Sequence, residues 1–185
     1  MESNTLALYK YKNWNGFNIE ALPNIFKSLE INRKNDVNLN FALSDKDGIS
    51  NFKQAIDKNF RHYDGHFGNG SLQHTDNHMK HLLERGCSFI NYEVKTLSLP
   101  SLFQNYIKSK VDFFVLDVEG HEAIVLSKLK SVDPKYHPSV WCIEYGHAGY
   151  ENVISVMKNN DYKLDYQDSI NLVFIKKGGE YDKNL

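Results

Sequence analysis

Arginine is scarce in this chain of 185 residues, which has only Arg33, Arg61 and Arg85. Guanidinium groups are the usual bidentate partners of phosphate, so their scarcity argues against a phosphate-tracking or nucleic-acid surface. The charge balance agrees, with 22 Lys+Arg against 23 Asp+Glu and a formal net charge of −1. Cysteine is scarcer still. Cys87 and Cys142 lie far apart and lack a CxxC spacing, so free thiols in a reducing compartment are a plainer reading than a disulfide. The N-terminus, Met1-Glu2-Ser3-Asn4-Thr5, has no basic segment leading into an apolar one, and no apolar run reaches membrane-spanning length. No GxGxxG follows a strand-like run, and the chain carries no internal repeat, linker or low-complexity segment. Aromatics at 13% exclude a disordered chain. These absences leave one soluble domain, 1–185, with enough residues for a proper core. Its expected place is the cytoplasm and its expected partner a small molecule rather than a nucleic acid or a membrane. An oligomer is compatible with all of this.

The sequence is organised around the stretch VDFFVLDVEGHE at 111–122. Val111, Phe113, Phe114, Val115 and Leu116 read as a strand buried on both faces, which a parallel sheet covered by helices requires. The strand ends on Asp117 and Glu119, Gly120 supplies a turn, and His121-Glu122 opens an amphipathic helix. Ligands of open α/β sheets bind at the carboxyl ends of the strands. Two carboxylates at that point are poor for stability and suited to chemistry.

Before this stretch, Ser3 or Asn4 is positioned to cap a short helix through about Lys12. Residues 17–21 read as a strand ending on Glu20, and Pro23 suits the first turn of the next helix. The alternation of Val37, Leu39 and Phe41 with Asn38 and Asn40 makes 37–43 another strand. Ser44-Asp45-Lys46-Asp47-Gly48 reads as a turn, with a short returning strand at 49–53. The segment 57–86 differs in kind. It holds five of the eight histidines and few aliphatics, and it reads as an insertion, part loop and part helix near 76–85. A strand at 88–95 and a helix at 100–107, with Tyr106 facing inward, precede the central stretch. After it come an apolar helix to about Ser131, a buried strand at 140–145 carrying Glu144, a helix from Val153, and an antiparallel hairpin at 162–166 and 170–175. Residues 177–185 read as a frayed tail. The alternation predicts a three-layer α/β sandwich, Rossmann-like, with a mostly parallel sheet and a C-terminal hairpin. The strands at 17–20, 37–43, 111–118 and 140–145 are expected to be neighbours in it.

The segments FNIEALP at 17–23, FALSD at 41–45 and LDVEGHE at 116–122 resemble the FkbM-type methyltransferases, in order as well as in residues. The resemblance runs from about Ser3 to Ile175, and Ile143-Glu144-Tyr145 fits it too. It implies a class I, S-adenosylmethionine-dependent enzyme that methylates a small hydroxylated acceptor, an O-methylation, with a sugar as one acceptor class. On that resemblance Glu20 holds the cofactor's ribose, with Ala21 and Leu22 beside the adenine. Ala42, Leu43, Ser44 and Asp45 read the adenine edge. Asp117 lies by the methyl group, and Glu119 and His121 line the acceptor side as the remaining catalytic residues. The family's opening strand and glycine-rich cofactor loop have no counterpart in 1–185. The chain therefore looks N-terminally truncated, the other readings being that the remaining strands close the gap or that a partner supplies the strand, and weak cofactor binding is expected of it. A degenerate, non-catalytic relative acting as a binding module is the alternative.

Other polar residues have plainer readings. His74, His78 and His81 follow helical spacing, yet the stretch is polar and lacks a companion acid or cysteine, so a solvated helix is expected and no metal centre. His62 and His66 in the insertion, and His147 after Glu144, are candidates for the acceptor pocket. Trp141 and Cys142 read as core.

Overall fold

The computed structural model of the chain describes residues 4–59 and 66–184. Its elements run α1 (Leu6–Lys12), β1 (Phe17–Ile19), α2 (Pro23–Asn32), β2 (Val37–Leu39), β3 (Ala42–Ser44), β4 (Gly48–Ile56), β5 (His66–Ser71), α3 (Asp76–Glu84), β6 (Ser88–Ser98) and α4 (Leu99–Leu102). A π-helical turn, Phe103–Ile107, continues α4. Then come β7 (Phe113–Leu116), α5 (Glu122–Leu126), β8 (Val140–Glu144), α6 (Tyr150–Lys158), β9 (Tyr162–Gln167) and β10 (Asn171–Lys176).

The architecture is α/β with mixed sheets, which corrects the expectation of one mostly parallel sheet. β1 and β2 pair in parallel by themselves. A second sheet has the order β3-β6-β4-β5, and a third the order β7-β8-β10-β9. Among the described residues the pairs β1–β2, β3–β6 and β7–β8 are parallel and the other four antiparallel. The strand expected at 37–43 is in fact two. Asn40 breaks it by turning its side-chain amide onto the carbonyls of Glu20 and Ala21, 2.7 and 3.0 Å away. β3 then leaves β2 and pairs with β6, so the segment expected as an adenine-reading turn begins as a strand. β1 and β7 fall in different sheets because no described segment lies between them to carry the ladder, whose strands must stand about 4.8 Å apart. The expected neighbours β7 and β8 do pair, Leu116 opposite Ile143, and the hairpin β9–β10 is antiparallel as read.

The main core lies under the third sheet. Leu102, Phe103, Leu116, Leu126, Trp141, Ile143, Met157 and Phe174 are almost wholly buried in it, and each such side chain contributes about 1.5–3 kcal/mol. Trp141 packs on Phe114 with ring centroids 4.4 Å apart. Tyr106, expected inward, is partly exposed, because the π-helical turn shifts it off the apolar face. A smaller cluster of Ala55, Leu82, Cys87 and Phe89 joins α3 to β4 and β6. Thus part of the expected insertion is a strand, β5, on the edge of β4, and α3 packs behind it.

Local chemistry fixes the first elements. Pro23 opens α2 with Leu22 at the cap position. The cap of α1 falls at Thr5, which makes no capping bond; its Oγ1 accepts from Arg33 Nη1 instead, at 3.1 Å. Arg33 also forms a buried ion pair with Asp36, 2.7 Å, and stacks over Tyr9, which ties α1 to the turn between α2 and β2. At the other end, residues 180–184 form a 3-10 turn held by the Lys163–Asp182 ion pair, 2.6 Å. Among the described residues no helix is long and apolar enough to cross a membrane.

Candidate active site

A cleft of about 1420 Å³ separates β1 from β7. All three residues of β1 and all four of β7 line it. Side chains of a strand alternate between faces, so consecutive lining residues mean that the backbone edges border the cleft. Among the described residues those edges are unpaired, since β1 bonds only β2 there, and β7 only β8. The volume exceeds the roughly 300–1,000 Å³ of a typical small-molecule site because it includes this space between strands.

Glu20 and Asp117 stand at the carboxyl ends of the two facing strands, both on the cleft wall with Ala21, Leu22, Ala42, Leu43, Glu119 and His121. Ser44 and Asp45 lie outside that lining. The Glu20 carboxylate accepts the Leu22 N–H at 2.8 Å and also bonds the backbone of Ala21, while burial pushes its pKa up. Its backbone is anchored by Leu39 and by Asn40.

The turn after β7 is built to aim side chains. Glu119 has φ 55° and Gly120 φ 98°. The left-handed region costs a non-glycine residue about 1–2 kcal/mol. At Gly120 a side chain would be crowded as well, since a Cβ would stand 3.2 Å from that of His147. Glu122, wholly buried, turns its carboxylate back to accept the N–H groups of Val118 and Gly120 at 2.8 and 3.0 Å. It holds the turn rather than merely opening the helix. From the second sheet, Ser71 Oγ donates to the Val118 carbonyl at 3.2 Å, and Thr75 packs against Gly120. The β5–α3 unit therefore covers the turn.

Four acids meet there. Asp117, exposed to the cleft, hydrogen-bonds to Glu144 at the neighbouring end of β8. Burial raises the pKa of Asp117, and Glu144 partly offsets this. Glu144 is pushed up to about 8, by burial first and then by the charges of Asp117 and Glu122. Burial, then Glu144, Asp117 and Glu122, push Glu119 up to about 9. Glu144 thus keeps its proton at neutral pH, beside the Asp117 carboxyl group.

His78 departs most from expectation. It is buried, not solvated, and stacks face to face on His147, ring centroids 3.5 Å apart. The Nε2 atoms of both rings lie near Glu119 Oε2, 4.0 Å for His78 and 3.7 Å for His147. Burial, then His147, hold His78 down to about 4, so the ring is neutral. Of its helical companions, His81 is exposed and His74 bonds the Lys53 carbonyl at 3.1 Å. His62 and the side chain of His66 fall outside the described residues. His121 faces away from these groups. Its Nε2 lies 3.2 Å from Ser44 Oγ, joining the turn after β7 to the end of β3. Asn40, Glu122 and Glu144 position the site's carboxylates, and of these only Glu144 carried a signal in the sequence, as an acid ending a buried strand.

The methyltransferase FkbM domain model matches residues 1–164. Neither a curated protein nor a solved structure matches the chain. The family match spans most of the 185 residues and includes β1, β3, β7 and β8, the strands that carry Glu20, Ser44, Asp117 and Glu144. On that match, the chain belongs to the FkbM methyltransferase family.

Proposed function

We propose that the chain moves a methyl group from S-adenosylmethionine to a hydroxyl of a small acceptor, with a sugar as one acceptor class. One observation supports this more than any other: Glu20 and Asp117, from facing strand ends, line a single cleft. The residues there suit the cofactor. A carboxylate offers about four lone-pair positions; the Leu22 and Ala21 contacts fix the Glu20 group and leave capacity for two ribose hydroxyls. Ala21, Leu22, Ala42 and Leu43 form an apolar wall for the adenine, while Ser44 and Asp45, outside the cleft lining, follow directly after it in the chain. Bound there, S-adenosylmethionine supplies an electrophilic methyl group on a positively charged sulfur.

Asp117, held anionic by the Glu144 proton, orients the acceptor hydroxyl and takes its proton. Glu119 and His147 border the acceptor side. His121 acts from the other flank, fixing Ser44 rather than touching the acceptor.

Replacing one acid from each strand tests this division of labour. Asp117→Asn is expected to cut turnover by about 100-fold or more and to leave cofactor affinity nearly unchanged. Glu20→Ala removes hydrogen bonds to a charged group, worth about 1.5–3 kcal/mol, and is expected to weaken the cofactor by roughly 10- to 150-fold. Equal effects of both substitutions on affinity contradict the assignment.

A further inference from the structure

Three residues from distant parts of the chain converge beside the acid pair. His78 comes from α3, Glu119 from the turn after β7, and His147 from the loop after β8. Their ligand atoms lie within 4.8 Å of one another. Glu119 Oε2 is 3.7 Å from His147 Nε2 and 4.0 Å from His78 Nε2. The meeting point is enclosed, with the His78 side chain 3% and that of Glu119 16% exposed.

The surroundings call for positive charge. Asp117, Glu122 and Glu144 form a second cluster next to Glu119. Among the described residues none of the four carboxylates is paired with a lysine or arginine. Glu122 is satisfied by backbone N–H groups, and Asp117 and Glu144 bond each other, with Glu144 Oε2 left without a partner. Glu119 has only the two imidazoles. A cation bound there takes the place of the Glu119 proton and pairs the buried carboxylate, and neutral imidazole is the form that ligates metal. The His78 side chain, 3% exposed, presents Nε2 to this point, where that nitrogen also meets Asn69 Oδ1 at 3.0 Å.

We infer that His78, Glu119 and His147 bind one divalent first-row transition-metal ion, zinc foremost. Two ring nitrogens and a carboxylate oxygen suit zinc and its neighbours, whereas magnesium and calcium take oxygen ligands. The separations are close to the edge of about 3.4 Å set by a tetrahedron with bonds of about 2.1 Å. Binding requires one local change. The rings are parallel to within 1°, so their Nε2 lone pairs do not converge until His147, the more exposed of the two, turns edge-on about χ2. The ion also replaces the 3.0 Å contact between His78 Nε2 and Asn69 Oδ1. Three protein ligands leave a coordination position for water or an acceptor oxygen. The site stands whether or not the cleft transfers methyl groups.

Titration of metal-free protein with Co²⁺ alone, followed by visible absorption, and with Zn²⁺ by calorimetry, tests the assignment. The expected result is one equivalent of Co²⁺ with the intense d–d bands of a low-symmetry site, displaced by Zn²⁺. His147→Ala and Glu119→Gln are each expected to weaken binding by about 100-fold or more, since loss of even an outer-shell partner costs about 10- to 100-fold. His81→Ala, which removes an exposed histidine of the same helix, is expected to change nothing. His147 lies on a loop, so its variant keeps the fold, and circular dichroism verifies this. No saturable binding, or binding that survives both His147→Ala and Glu119→Gln, overturns the inference.

Discussion

The carboxyl groups of Asp117 and Glu144 hydrogen-bond to each other across the paired ends of β7 and β8. With Glu144 pushed up to about 8, its proton holds Asp117 as an oriented anion through neutral pH. Above that value both groups are charged and repel. Activity is therefore expected to decline above about pH 8 as Glu144 ionises. Glu144→Gln keeps a donor toward Asp117 at every pH, so its pH–rate profile should lose the alkaline limb while the neutral rate stays within about tenfold, roughly 1.4 kcal/mol. An unchanged alkaline limb in this variant contradicts the pairing.

Glu119 and His78 make stability depend on pH in opposite windows. Glu119 titrates at about 9 in the folded chain against 4.5 in the unfolded, so the folded state binds the extra proton between these values. Its contribution is full below 4.5 and is lost as pH rises through 9. His78 titrates at about 4 against 6.5, so its contribution is full above 6.5 and is lost as pH falls through 4. Between pH 6.5 and 9 the acid dominates. Metal-free protein should then lose stability, with Glu119 contributing up to about 1.4 kcal/mol per pH unit for its proton and Glu144 acting in the same direction below about 8. Urea unfolding in a chelating buffer measures this, and Glu119→Gln is expected to remove that share of the fall.

Gly120 is held by both conformation and contact. With φ 98° and the His147 Cβ 3.2 Å from where a side chain would start, Gly120→Ala is expected to destabilise by about 1–2 kcal/mol. It should also displace the 118–121 turn, so that activity falls more than stability explains. Thermal unfolding alongside turnover separates the two effects. A variant as stable and as active as the parent contradicts this account of the turn.

Much of the third sheet was legible in the sequence. The runs at 113–116 and 140–144 are apolar enough to read as strands, although neither is wholly buried on both faces, and each leads to the acid that the fold places at the site. The break at Asn40 was not legible, because Val37, Leu39 and Phe41 alternate straight through it. It depends on Asn40 bonding the carbonyls of Glu20 and Ala21, some twenty residues earlier. His78 was misread for a related reason. The segment around it is polar, and only its packing over the turn after β7 buries it. Glu122 carries the signature of a helix opening; that its carboxylate would turn back onto the loop depends on how tightly that loop closes.

The central claim is that the adenosine half of S-adenosylmethionine is held in the cleft between β1 and β7, with its ribose on Glu20. Saturation-transfer NMR on a mixture of the protein and S-adenosylmethionine tests this most directly, because it reads contacts proton by proton even when binding is weak. The expected result is strong saturation of the adenine and ribose protons, lost in Glu20→Ala and retained in Asp117→Asn. Ribose protons left unsaturated, or a pattern that Glu20→Ala does not change, would contradict it.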